Sequence, residues 1–136
     1  MIVVDASVIV AILLDEPEAE EFMQMLLEAE ETAISAATWF EAAMVWEGRQ
    51  KNAAQSALFD ELIDELDLAI VPLASEHARI AREAFRRYGK GRGRGQAGKH
   101  PNLNFGDCFA YALAKALDAP LLFNGGDFAL TDVKQA

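Results

Sequence analysis

Four acidic residues stand where a chain of alternating strands and helices places its chemistry. Asp5 follows the apolar run Ile2 to Val4, Glu41 follows Thr32 to Ser35, Asp107 opens an Ala- and Leu-rich stretch, and Asp127 follows Leu121 to Phe123. Each has a structural reading as well. Asp5 and Ser7 can both cap a helix, and Thr38 to Glu41 matches a capping box in which the glutamate returns to the N–H of the cap residue. A carboxylate in a first helical turn, as Asp107 would be, gains about 0.3–1 kcal/mol from the helix dipole alone. Asp127 is either a cap or a site residue. What the four share is position, because parallel strands bring their carboxyl ends to one edge of a sheet, where such folds bind ligands. Four carboxylates gathered there would raise one another's pKa values unless a positive charge sat between them. With oxygen ligands only and no spare His or Cys, the site suits a hard divalent cation, Mg²⁺ or Mn²⁺. Such ions activate water and stabilise the attacking and leaving oxygens of an in-line displacement at phosphorus.

The elements that must position these acids follow from periodicity. β-rich runs at Met1 to Val4, Thr32 to Ser35, Leu68 to Pro72 and Leu121 to Phe123 alternate with helical stretches. Helices are expected over Val8 to Leu14, Pro17 to about Glu31, Ala37 to Gln50, a stretch capped by Asn52, another capped by Ser75 and ending near Tyr88, and Leu103 to Leu117, with one helical turn over Phe128 to Leu130. The pattern predicts an α/β fold of three layers, α/β/α, around a parallel sheet of four to five strands, and one domain over residues 1–136. Positions 105, 109, 112, 113, 116 and 117 form the expected inward stripe of the helix carrying Asp107. Ala57, Leu58, Leu62, Ile63 and Leu66 do the same for the helix after Asn52, whose acids face water. Trp39, Ala43, Trp46 and Gln50 share a face suited to core or to a dimer contact. His77 reads as a surface residue and Cys108 as a small core hydrophobe.

A formal net charge of −10 argues against a nucleic-acid ligand only as an average. Eight of the 12 Lys and Arg lie between Arg79 and Lys99, opposed there by Glu83 alone. Arg79, Arg82 and Arg86 recur at i, i+3 and i+7, and Lys90, Arg92 and Arg94 alternate with glycine in a loop over 89–101 expected to be mobile. A basic strip on an acidic body suits a polyanion held locally, or an acidic partner segment. The run Ile2 to Leu14 is interrupted by Asp5 and too short to cross a bilayer, and no basic residue follows Met1 as a signal peptide requires, so a cytoplasmic protein with no membrane contact is expected. A phospho-acceptor built on Asp5 is disfavoured, because Asp5-Ala6-Ser7 has no second acid beside it.

Met1-Ile-Val-Val-Asp5-Ala-Ser7, Glu41 within a helix, Asn104-Phe-Gly-Asp107-Cys-Phe-Ala-Tyr-Ala112, and Gly126-Asp127-Phe128 with Thr131-Asp132 behind it together resemble the PIN-domain ribonucleases, most closely the VapC toxins of bacterial toxin–antitoxin pairs. The resemblance spans nearly the whole chain. It implies a Mg²⁺-dependent endoribonuclease, a homodimer, that cuts RNA and is silenced by a VapB-type antitoxin, through which alone it would meet DNA. Carried over by position, Asp5 and Asp107 are the principal metal ligands, Glu41 and Asp127 complete the acidic set, and Ser7 helps to hold it. Arg79, Arg82, Arg86, Lys90, Arg92 and Arg94 are the candidate RNA-binding residues. The alternative is a PIN module that binds RNA or antitoxin without turnover. Two departures from the family pattern bear on this choice: Gly126 stands where a second acid is common, which would weaken a second metal, and residues 93–99 look inserted.

Overall fold

Two strands run straight into helices through a capping side chain, and the rest of the architecture follows from where those junctions lie. The computed structural model describes residues 1–49, 52–93 and 97–136. In chain order these form β1 (Ile2–Val4), α1 (Ala6–Leu13), α2 (Ala19–Glu28), β2 (Thr32–Ser35), α3 (Ala36–Glu47), α4 (Ala53–Leu66), β3 (Ala69–Val71), α5 (Ser75–Tyr88), α6 (Phe105–Ala116), β4 (Leu121–Leu122) and a 3₁₀ turn at Phe128–Leu130. The strands pair in parallel in the order β3-β2-β1-β4, with Val3 opposite both Ala33 and Leu121. The chain winds outward from β1 to β3 through α1 to α4 and returns through α5 and α6 to β4 on the other side of β1. Crossovers of one hand place helices on opposite faces when the winding direction reverses. Side chains alternate accordingly: Val4, Ile34 and Leu122 pack with α1 to α4, and Val3, Ala33 and Leu121 pack with α5 and α6. The expected three-layer α/β/α arrangement is therefore present.

A further pairing, beyond the three between strands, comes from the last residues, whose sequence carries no readable pattern. Gln135 forms an isolated parallel bridge with Leu121, the Leu121 N–H donating to the Lys134 carbonyl at 2.8 Å and the Ala136 N–H to the Leu121 carbonyl at 3.0 Å. Gly89 and Leu103 make a similar bridge, which fastens together the two ends of the glycine-rich loop. Gly89 is required there, since a Cβ would lie 2.4 Å from the Phe85 carbonyl oxygen. Arg94 and Gln50 lie outside the described residues.

Several expected faces differ from the observed ones. Helix α3 is capped by Ser35, whose Oγ accepts from the Ala37 N–H at 3.3 Å, so Thr38 already lies inside the helix and the Thr38–Glu41 capping box does not form. Helix α6 is buried from Ala110 to Ala114 on every side, and Phe105, expected inward, is 82 % exposed. Leu117 is also exposed. In α4 it is Phe59, not Ala57 or Leu58, that joins Leu62, Ile63 and Leu66 in the core. Trp46 is buried and donates its indole N–H to the Gln55 carbonyl at 3.0 Å, while Trp39 meets Phe59 edge to face, so these two side chains pack within the chain. His77 is buried rather than on the surface, its Nδ1 accepting from the Ala74 N–H, and Ala74 rather than Ser75 occupies the cap position of α5. Cys108 is buried, as expected of a small core residue. No helix among the described residues is long and apolar enough to cross a membrane.

Candidate active site

Reversal of the winding direction opens a crevice beside β1 and β4 at their carboxyl ends, and Asp5 is the first residue past β1. It caps α1: its Oδ2 accepts from the Ser7 N–H at 3.0 Å and from the Ser7 hydroxyl at 2.6 Å. The Ser7 Oγ accepts in turn from the Asn124 N–H just beyond β4, at 2.9 Å. Asn124 also donates through its side-chain amide to Glu16 at 3.1 Å. One serine hydroxyl thus orients the Asp5 carboxylate and ties together the ends of the two strands that flank the crevice. Nothing in the local sequence marks Asn124, because its contact with Ser7 joins residues 117 positions apart.

Asp107 does two things at once. Its Oδ2 accepts from the Asn104 N–H at 3.0 Å while the Asn104 side-chain oxygen accepts from the Asp107 N–H at 2.9 Å, a reciprocal cap on α6. The structural reading of Asp107 is therefore correct, and it leaves the second carboxylate oxygen for the crevice. Glu41 arrives from the interior of α3, where it rests against the first turn of α6. A Cβ on Gly106 would fall 1.2 Å from Glu41 Oε2, so only glycine at 106 leaves room for this carboxylate.

Electrostatics relates the four acids. Burial pushes the Asp5 carboxyl above its ordinary range, against the opposing hydrogen bonds from Ser7. Glu41 is pushed up to about 7, first by burial and then by the negative charges of Asp5 and Asp107. Asp107 is pushed up to about 6 by burial, against the Asn104 hydrogen bond, with Asp5 and Asp127 adding to the rise. Asp127 is exposed at the head of the 3₁₀ turn and makes no side-chain cap there. Glu41 thus feels the charges of Asp5 and Asp107, and Asp107 those of Asp5 and Asp127.

Among the described residues no three Asp, Glu, His or Cys side chains lie close enough to enclose an ion by themselves. A divalent cation nevertheless fits the donors present. Asp5 Oδ1 is buried with no hydrogen-bond partner, an arrangement that leaves a carboxylate oxygen unsatisfied unless something positive meets it. All donors are carboxylate oxygens, the ligand type of Mg²⁺ and Mn²⁺, which keep several waters and complete their shell with substrate phosphate. At Gly126 the direction of a Cβ is open, so the second acid common in the resembling family has room and is simply absent.

The basic residues divide. Arg86 turns to Glu83 at 3.5 Å, and Arg92 donates through Nε to the Arg86 carbonyl. Arg79 and Lys90 are exposed, and Arg82 borders a depression with Phe85, Phe105 and Phe109. Asp132, which follows Asp127 in the motif, is not with the acids. It accepts from the Tyr111 hydroxyl and from Lys115 at 3.2 Å and pairs with Arg87 at 3.8 Å, clamping the C-terminal segment to α5 and α6.

The PIN domain family model matches residues 2–134. VapC ribonuclease Mb0625 of Mycobacterium bovis is 40% identical over 135 residues, covering 98% of this chain and 96% of that protein. Ribonuclease VapC of Mycolicibacterium smegmatis is 43% identical over 131 residues, 96% of each. Among solved structures, VapC20 of Mycobacterium tuberculosis, a sarcin–ricin loop cleaving toxin, superposes with a TM-score of 0.74 at 12% identity, covering 100% of this chain and 98% of that one. VapBC2 from Rickettsia felis, bound to a promoter DNA fragment, superposes with a TM-score of 0.73 at 16% identity, with the same coverage. At those identities the structures speak for the fold, while the sequence relatives carry the closer kinship: the chain belongs to the PIN-domain family and, within it, to the VapC ribonucleases.

Proposed function

We propose that residues 1–136 act as one domain, an endoribonuclease toxin that hydrolyses RNA phosphodiester bonds with Mg²⁺ or Mn²⁺ held at the crevice beside β1 and β4. The observation that carries the assignment of the site is the unpartnered, buried Asp5 Oδ1 facing acids whose carboxyls are raised by burial and by one another. Asp5 and Asp107 hold the ion, Glu41 and Asp127 supply the flanking negative charge, and Ser7 with Asn124 fixes the orientation of Asp5. When bound, the cation supplies Lewis-acid activation of water and neutralises charge at the phosphate. The chain's own contribution is to keep these carboxylates preorganised, Asp5 by Ser7 and Asp107 by Asn104, so that little reorganisation is needed as the substrate arrives. Arg79, Arg82, Arg86, Lys90, Arg92 and Arg94 attract the RNA backbone from the surface.

The protein works in the cytoplasm, and it is restrained by a VapB-type antitoxin, a partner supported by the toxin–antitoxin assemblies among its structural neighbours. It is a homodimer, and the face that a second copy covers is formed by Phe40 and Met44 of α3 with Phe105 of α6, three large apolar side chains that are 62 %, 57 % and 82 % exposed. Exposed apolar area on that scale marks an interaction surface. The test is cleavage of a mixed pool of cellular RNA in Mg²⁺, with EDTA and Asp107→Asn protein alongside. Discrete fragments that require both metal and Asp107 are expected. Equal cleavage in all lanes, or none with antitoxin-free protein, would refute the reading.

A further inference from the structure

Two of the acids, Glu41 and Asp127, border unlike depressions. Beyond Glu41 the lining is apolar: Ala37, Phe40, Met44, Phe105 and Phe109. Beyond Asp127 lies a depression of about 430 Å³ whose lining includes Lys99, His100, Asn102 and Gly126. Lys99 and Asn102 are exposed there, and Lys99 forms no salt bridge among the described residues, although Asp127 borders the same depression. This wall is fastened from below. His100 Nε2 lies 3.3 Å from the Arg87 carbonyl, its ring packs where a Cβ on Gly93 would intrude, at 2.3 Å, and the Gly89–Leu103 bridge closes the loop behind it. The Asn102 amide nitrogen donates to the His100 carbonyl at 3.3 Å, and among the described residues its oxygen accepts no hydrogen bond.

A cation and an amide on an anchored wall, adjoining the exposed end of a phosphate-cleaving site, offer what a flanking nucleotide presents: a charged phosphate and a hydrogen-bonding base edge or 2′-hydroxyl. We propose that this depression is the subsite for the nucleotide adjoining the scissile phosphate on the Asp127 side, with Lys99 holding its phosphate and Asn102 contacting its base or ribose. The proposal rests on the ribonuclease reading and adds a direction to it. The RNA strand leaves the acids past Asp127, and residues on that side of the cut are selected by the loop over 97–102.

The test uses the full chain and a pool of short single-stranded oligoribonucleotides randomised on both sides of a central position. Affinity is measured in the Asp107→Asn background with Mg²⁺, and cut ends are sequenced with Asp107 intact. Lys99→Gln is expected to lower affinity about three- to tenfold and to reduce the slope of log K against log salt by about 0.7, the loss of one single-strand phosphate contact. Asn102→Ala is expected to leave that slope unchanged and alter base preference on one side of the cut only. Both side chains are exposed, and thermal unfolding verifies that the variants fold. Wild-type cutting with ends, affinity and slope unchanged in both variants overturns the subsite alone. A wild-type chain that neither binds nor cuts the pool overturns the ribonuclease reading with it. Loss of binding to a polyglutamate peptide in Lys99→Gln, with RNA affinity intact, assigns the depression to a protein segment and overturns the nucleotide.

Discussion

If Glu41 and Asp107 meet the same ion, their raised carboxyls make its binding steeply dependent on pH. Protons compete with the metal, so each carboxyl lowers the apparent affinity in proportion to its protonated fraction. With Glu41 at about 7 and Asp107 at about 6, going from pH 7.5 to pH 5.5 should weaken binding by about a hundredfold if both must ionise. If Asp107 alone must ionise, the same change costs about fourfold. Asp5 is raised as well and can only enlarge these ratios. The measurement is a calorimetric titration of metal-free protein with Mn²⁺ at the two pH values and constant ionic strength. Glu41→Gln serves as the internal comparison, because the ratio should collapse from about a hundredfold toward about fourfold when its proton is removed from the competition. A ratio near fourfold in the unaltered chain, or one unchanged by Glu41→Gln, would refute the idea that Glu41 faces the ion.

The same shifts set the stability of the metal-free protein. A carboxyl raised on folding stabilises fully below its unfolded pKa, and that contribution is lost as pH rises through the folded value. The melting temperature without metal should therefore fall between pH 5 and pH 7.5, by about 1–2 kcal/mol equivalent after allowing for solvent screening of these partly exposed groups, and divalent cation should restore it. Gly106→Ala should evict the Glu41 carboxylate, the mobile end of its side chain, while leaving the helix intact, so cleavage falls about tenfold or more with the melting temperature held or raised. Asp107→Asn keeps an oxygen for the Asn104 N–H and should lose cleavage at little cost in stability, whereas Asp107→Ala should lose cleavage and a further ~1 kcal/mol by chemical denaturation. Tyr111→Phe removes a hydrogen bond to the Asp132 carboxylate, which clamps the C-terminal segment, and should cost about 1.5–3 kcal/mol by the same assay with cleavage per folded molecule unchanged.

The order and type of the elements were legible because alternating apolar runs and turn residues report strand and helix directly. What resisted was the facing of elements that bury more than one side. Helix α6 is rich in alanine and surrounded through its middle, so its apolar spacing holds no information about direction, and Phe105 and Leu117, expected inward, lie outside. Glu41 is open to a capping reading because Thr38 and Glu41 stand three residues apart, as a cap residue and its partner do. Ser35, the last residue of β2, is the cap, and no feature of Thr38 distinguishes a second plausible start from the true one. The acids themselves stood out by type and by position after strands. Their supports did not: Asn124 and Gly106 act through contacts across the chain, and Lys99 and Asn102 acquire a setting only when the loop is anchored at Arg87 and Leu103.

The hydrogen bond from Asn124 to Ser7 joins residues 117 positions apart, and it sits on the strand pair that creates the crevice. A ribosome delivers β1 and Asp5 more than a hundred residues ahead of β4 with Asn124 and Asp127, so α1 to α6 exist before the cutting edge can close. Long-range closures of this kind are slow steps in folding. A chain still being made thus carries its acids unassembled, and the cell that translates this message is spared its activity until β4 has been laid beside β1.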